Sequence, residues 1–220
     1  MTNTNKFTAS PESKSKAKKF RRIALISWVL AMAGQVFAIL KLIHEDTLTW
    51  LFITMGVILV LAITGSLLWK KANRLDPASE KDKLRFFIQN QLGAILGVLA
   101  FLPLVIFIFK NKNLDKKTKG IAGTVAIIAL VIAGATGIDL NPPSIEQYTQ
   151  EINEQTSTLK TINNNSDAVF WTKAGNKYHI NEECQHIKGR ESISNGSVKE
   201  SWEQKGISEL CKTCEKRARK

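Results

Sequence analysis

The chain has 220 residues, of which 44% are hydrophobic, and its 31 Lys/Arg against 19 Asp/Glu give a net charge of +12. That excess is +6 in residues 1–22, +3 in 70–85 and +4 in 110–120, with −1 around Lys41–Asp46 and none in 139–220. Positive charge therefore flanks apolar segments, where it holds a protein against anionic lipid, and the neutral polar tail argues against a nucleic-acid surface that tracks phosphates.

Residues 1–22 are rich in Ser, Thr and Lys and read as a disordered N-terminus ending in the basic cluster Lys18-Lys19-Phe20-Arg21-Arg22. Four apolar runs follow, at 23–43, 48–69, 92–109 and 120–138. A helix needs roughly 17–25 apolar residues to cross a bilayer. The first run continues past Val36-Phe37-Ala38 and so reads as an uncleaved anchor rather than a signal peptide. The short link His44-Glu45-Asp46-Thr47 makes the first two segments an antiparallel hairpin, and Trp50 and Trp69 fit an interfacial belt. Asp76-Pro77 marks a turn in the connection 70–85. Gln35, Gln89, Asn90 and Gln91 are the main polar groups in or beside the spans, and such groups join helices more often than they bind substrate. Gly120-x2-Gly123 and Gly134-x2-Gly137 point to close helix packing.

Leu140-Asn141-Pro142-Pro143 ends the membrane domain 23–138. Residues 139–166 then read as an amphipathic linker helix and hinge. Ser144 and Gln147 form a capping box, and Ile145, Tyr148, Ile152, Leu159 and Ile162 recur near heptad positions with Gln155 in the seam. That stripe either meets a protein partner or second copy through residues 144–162, or lies on its own domain. In 167–220, Val169-Phe170-Trp171 and Lys177-Tyr178-His179-Ile180 read as a hairpin around Gly175-Asn176. Ser197–Lys205 reads as a helix stopped by Gly206.

All three cysteines lie in the last 37 residues. His179-x4-Cys184 and Cys211-x2-Cys214, with 26 residues between them, are two half-sites of soft ligands suited to tetrahedral Zn²⁺. His186 competes with His179, which is preferred because it ends the hairpin strand. A Cys211–Cys214 disulfide with Cys184 as a buried thiol is the alternative. A module of about 50 residues is too small to hold itself with apolar contacts alone, and a metal supplies the missing constraint.

The run Phe170-Trp171-Thr172-Lys173-Ala174-Gly175-Asn176-Lys177-Tyr178-His179, then Cys184, then Leu210-Cys211-Lys212-Thr213-Cys214 resembles a family of small C-terminal modules on bacterial membrane and secreted proteins. It is similar to the metal-binding domain of the Ada DNA-repair family. The resemblance covers about a quarter of the chain and implies zinc. His179 stands where that family has a cysteine, so alkyl transfer is not implied.

These readings lead to a mostly α fold: a bundle of about four transmembrane helices, a linker helix and a small ββα zinc-binding module. The expected function is a multi-pass protein of a bacterial plasma membrane displaying a structural zinc module for protein contact or sensing. No catalytic constellation is evident, so an enzyme is not expected. A metal- or thiol-dependent enzyme is the alternative, with Glu182 or Glu183 as base or Cys211 or Cys214 as nucleophile. A small transporter ranks below both, because coupled transporters place ionisable groups inside the bundle. The basic N-terminus is expected in the cytoplasm. If all four segments span, the module is cytoplasmic too, as reduced thiols prefer. If the Pro103-containing third segment is re-entrant, the lysines of 110–120 stay inside and the module lies outside. Charge tips the expectation slightly to the outside.

Overall fold

The computed structural model describes residues 6–218. The chain divides into two compact units, one from Lys16–Arg74 and Asp82–Pro142, the other from Met1–Ser15, Leu75–Lys81 and Pro143–Lys220.

The first unit is apolar and helical. It contains most of α1 (Pro11–Lys41), nearly all of α2 (Leu48–Leu75), α3 (Lys83–Leu99), α4 (Leu102–Lys110) and α5 (Lys116–Gly137). Helix α1 starts earlier than the sequence suggests. The Ser10 hydroxyl accepts from the Ser13 amide at 3.1 Å, Pro11 takes the first helical position and Glu12 stands in the first turn. Residues 11–22 are therefore helical, where disorder was expected; residues 1–5 of that expectation lie outside the described residues. Asp82 caps α3 through the Arg85 amide, and Asp115 caps α5 through the Thr118 amide.

Among the described residues, four helices are long and apolar enough to cross a membrane, the third formed by α3 and α4 together over Lys83–Lys110. Leu51, Met55, Ile58, Phe101, Leu104 and Ile108 fill the core between them. Val29, Leu40, Val60, Ile128 and Val131 are each more than half exposed. Apolar side chains on outward faces of several helices suit a hydrocarbon surround.

Small residues let α3 lie against α5. A Cβ on Gly97 would stand 2.6 Å from the Ala133 carbonyl oxygen, and one on Gly137 would overlap the backbone of Gly93 and Ala94. Farther along, Gly123 lies beneath the Phe109 ring, whereas Gly120 faces open space. The chain from α3 to α4 thus follows α5 from its C-terminal to its N-terminal end. The break at Ala100-Phe101, ahead of Pro103, interrupts the helix without turning it back. The loops at its far end also meet, since Asn111 Nδ2 donates to the Ile43 carbonyl and the Asp115 amide to Glu45 Oε1, both at 3.1 Å. A third segment returning to its own side does not fit this path.

Polar groups join the helices as expected. Trp69 Nε1 and Asn73 Nδ2 donate to the Gln89 carbonyl at 2.7 and 2.8 Å, and Gln91 Nε2 donates to the Asp139 carbonyl at 3.1 Å. Gln35 departs from this pattern, being buried with its Nε2 unpaired.

The second unit is mixed. Helix α6 (Ile145–Ile162) is capped by Ser144, which accepts from the Gln147 amide at 2.9 Å; the Gln147 side chain reaches forward to Glu151 instead of closing a box. Strand β1 (Ala168–Thr172) pairs antiparallel with β2 (Ile193–Ser197), followed by α7 (Val198–Lys205) and α8 (Lys212–Ala218). The expected hairpin shrinks to a single bridge, Phe170 to His179, and the fuller pairing goes to β2. Gly206, at φ +65°, closes α7 as the sequence indicates.

The apolar stripe of α6 is covered by the chain itself. Ile152 and Leu159 are buried with Val169, Trp171, Tyr178 and Trp202, joined by Phe7 from the N-terminal segment. Phe7 meets Tyr148 edge-on at 5.1 Å, and its amide donates to Thr149 Oγ1 at 3.0 Å. Of what reads as a separate linker over 139–166, the part from Pro143 onward is thus a wall of the terminal domain, while 139–142 belongs to the helical unit. Gln155 is its polar centre, accepting from the Tyr178 hydroxyl and Trp202 Nε1 at 3.2 and 3.0 Å and donating to the Ser208 carbonyl at 2.8 Å. Replacing Gln155 with Leu strands all three partners. The expected loss is about 3 kcal/mol, read as an earlier denaturant midpoint by tryptophan fluorescence. An unchanged midpoint would mean that water satisfies these groups equally well.

Candidate metal centre

Backbone pairing brings the two half-sites together. The Tyr178 amide donates to the Glu209 carbonyl at 2.9 Å, and the Cys211 amide donates to the Tyr178 carbonyl at 2.8 Å. Lys177 and Glu209 add an ion pair at 2.5 Å. This short parallel contact sets His179 beside Cys211 despite their separation in sequence. Cys184 enters from a tight loop. There the Glu183 amide donates to Asn181 Oδ1, and the amides of Ile187 and Lys188 converge on the Cys184 carbonyl.

The outcome is a buried cluster of His179, Cys184, Cys211 and Cys214, whose ligand atoms all lie within 4.8 Å of one another. All three cysteines are free thiols. Cys214 Sγ lies 3.7 Å from His179 Nδ1. Ordinary zinc–sulfur and zinc–nitrogen bonds at a tetrahedral angle set that edge at about 3.6 Å, so the pair has the spacing of two ligands on one ion. Phe170, Ile180, Ile193 and Leu210 pack around the buried cysteines.

The backbone is arranged for sulfur. The amides of Cys214 and Thr213 donate to the Cys211 sulfur, and those of Ile180 and Asn181 to the Cys214 sulfur. Burial raises the Cys211 pKa, but the amide and thiol donors outweigh it and hold it below the ordinary thiol value. Burial dominates at Cys214 and pushes it up to about 11, with neighbouring Cys184 adding to the rise. Burial, and then the charge of His186, push His179 down and favour the neutral imidazole that a metal needs.

His186 is outside the cluster. It is exposed, with its Nε2 3.1 Å from Thr213 Oγ1 and its ring 6.4 Å from that of His179. Glu183 points away into an ion pair with Lys188 at 2.6 Å, and Glu182 is exposed. Sequence reasoning missed the Tyr178–Leu210 bridge, which no local motif announces. It also missed the sulfur-facing amides, which the two knuckle spacings do imply.

No family model matches the chain, and no curated protein or solved structure matches it either.

Proposed function

We propose that the chain is a four-span protein of a bacterial plasma membrane whose terminal domain is held by a structural Zn²⁺ and serves protein contact or sensing rather than catalysis. The observation that carries this reading is the convergence of one buried imidazole and three buried thiols, their ligand atoms all within 4.8 Å of one another. His179, Cys184, Cys211 and Cys214 would be the ligands. Four protein ligands complete the coordination of a structural zinc and leave no position for a reacting water. Glu182 and Glu183, the acids nearest in sequence, face solvent, which further disfavours the metal-enzyme alternative. The likeness to the Ada metal-binding family belongs to this proposal in the same restricted sense, zinc without alkyl transfer. Metal analysis of the purified full chain tests it: zinc is the expected metal, and a folded chain that takes up none would overturn the reading.

The connectivity favours a different orientation from the one that charge alone suggests. Residues from Met1–Ser15, Leu75–Lys81 and Pro143–Lys220 build one unit, and two apolar helices separate each piece from the next. All three pieces then share one face of the membrane. The basic groups 1–22 and 70–85, at +6 and +3, stand on that face, against −1 and +4 for the opposite loops. The positive-inside tendency puts the more basic face, and the thiols with it, in the cytoplasm. In intact cells an impermeant maleimide is expected to label Asn113→Cys and to reach Ala174→Cys only after permeabilisation. The reverse pattern would invert the orientation, and labelling of both would break the four-span topology.

A further inference from the structure

The apolar unit holds a groove of about 580 Å³ between α1, α2 and α3, separate from the cysteine cluster. Leu84, Ile88 and Leu92 form one wall, and Arg21, Arg85 and Trp69 line the rest. Leu84 and Ile88 are 71% and 45% exposed, more apolar surface than a water-facing groove keeps. Arg21 lies over the Trp69 ring at 5.9 Å, while Trp69 Nε1 is fixed on the Gln89 carbonyl at 2.7 Å. The Trp69 ring in the lining is therefore held by its Nε1, with a guanidinium over its face.

We infer that this groove binds an anionic phospholipid, with the phosphate at Arg21 and Arg85 and an acyl chain along Leu84, Ile88 and Leu92. Charge and shape both select that occupant. A planar guanidinium offers paired donors that match phosphate oxygens, and two arginines in one lining favour an anion over a zwitterion. The lining carries two arginines against one carboxylate, Asp82, which accepts the Arg85 amide at 3.1 Å as the cap of α3. The groove lies where the apolar runs of α1 and α2 give way to Arg21, Arg22, Lys70, Lys71 and Arg74, the level at which lipid headgroups sit. A free anion would use the arginines but leave the apolar wall bare.

The inference rests on the membrane reading and is independent of the metal. Native mass spectrometry of the full chain in mild detergent, with equal amounts of phosphatidylglycerol and phosphatidylcholine, tests it. Phosphatidylglycerol is expected to be retained about tenfold more, and Arg21→Gln/Arg85→Gln to abolish that preference with helical content unchanged. Lys116→Gln/Lys117→Gln removes the same charge from the opposite loop and is expected to keep the preference. Equal loss in both pairs would mean diffuse attraction and would sink the site, as would retained preference in the arginine pair. Displacement of phosphatidylglycerol by equimolar glycerol phosphate would overturn it too, because the apolar wall would then contribute nothing. A chain that stays soluble without detergent and retains neither lipid would fail the membrane reading itself.

Discussion

Full-length protein purified in detergent is expected to hold about one zinc per chain, and Cys211→Ser to hold none. The loss should not be confined to the metal. A structural zinc contributes on the order of 10–16 kcal/mol of apparent binding free energy to a small metal-dependent domain. The apolar side chains around the cysteines are too few to replace that contribution. Strand β1 carries Phe170 on the cysteine side and Val169 and Trp171 in the aromatic core, so disorder at the metal spreads through one strand to the other face. The expected signature is joint loss of zinc and of the near-ultraviolet dichroism of Trp171 and Trp202. His179→Ala should behave similarly. His186→Ala should keep both metal and signal, because its ring stands outside the His/Cys cluster. A Cys211→Ser protein that loses zinc yet keeps the aromatic signal would demote the metal to a passenger. Zinc retained by His179→Ala and lost by His186→Ala would exchange the fourth ligand.

The second large effect is expected from a single methyl group. Gly137→Ala puts a Cβ into the backbone of Gly93 and Ala94, and backbone atoms cannot be turned aside as the end of a flexible side chain can. Overpacking against flexible side chains costs about 1–3 kcal/mol, and backbone against backbone belongs at the upper end. Helices α3 and α5 must separate, and in lipid their association depends on that close fit rather than on a hydrophobic drive. Gly120→Ala on the same helix meets nothing within 4 Å and should be neutral, or stabilising by up to about 1 kcal/mol through helix propensity. Unfolding titrations in detergent compare the two. Equal effects would refute the crossing as the site of constraint.

Local signals in the sequence were enough for the four apolar helices, the Ser144 cap, the α7 stop at Gly206 and the identity of the cysteine-rich residues that converge. Each of these rests on contiguous chemistry: apolar length, a hydroxyl ahead of a helix, a glycine after one, ligands a few residues apart. What escaped depends on distant partners. Strand β2 reads Ile193-Ser194-Asn195-Gly196-Ser197, without alternating apolar residues, and is a strand because β1 lies beside it. Phe7 is one apolar residue in a polar stretch, and nothing local shows that Tyr148 awaits it. Gln155 interrupts a heptad and looks like a flaw, until Tyr178 and Trp202 are seen to need its oxygen. The early start of α1 was readable from Ser10-Pro11-Glu12 but was outweighed by the polar composition around it.

The terminal domain is assembled from pieces at both ends of the chain and from one loop between. In the four-span reading proposed above, Phe7 leaves the ribosome before the apolar helices, and the cysteines that close the domain leave after them. At about 5–20 residues per second the N-terminal piece waits many seconds for its partners. During that interval its polar neighbours keep it soluble and the buried face of α6 does not yet exist. In that reading, completion depends on every helix inserting in the right sense, because one failure would strand a piece across the bilayer. A finished domain would then be a record of correct insertion, and a chain that failed the test would expose Trp171, Trp202 and three thiols to the cell's quality control.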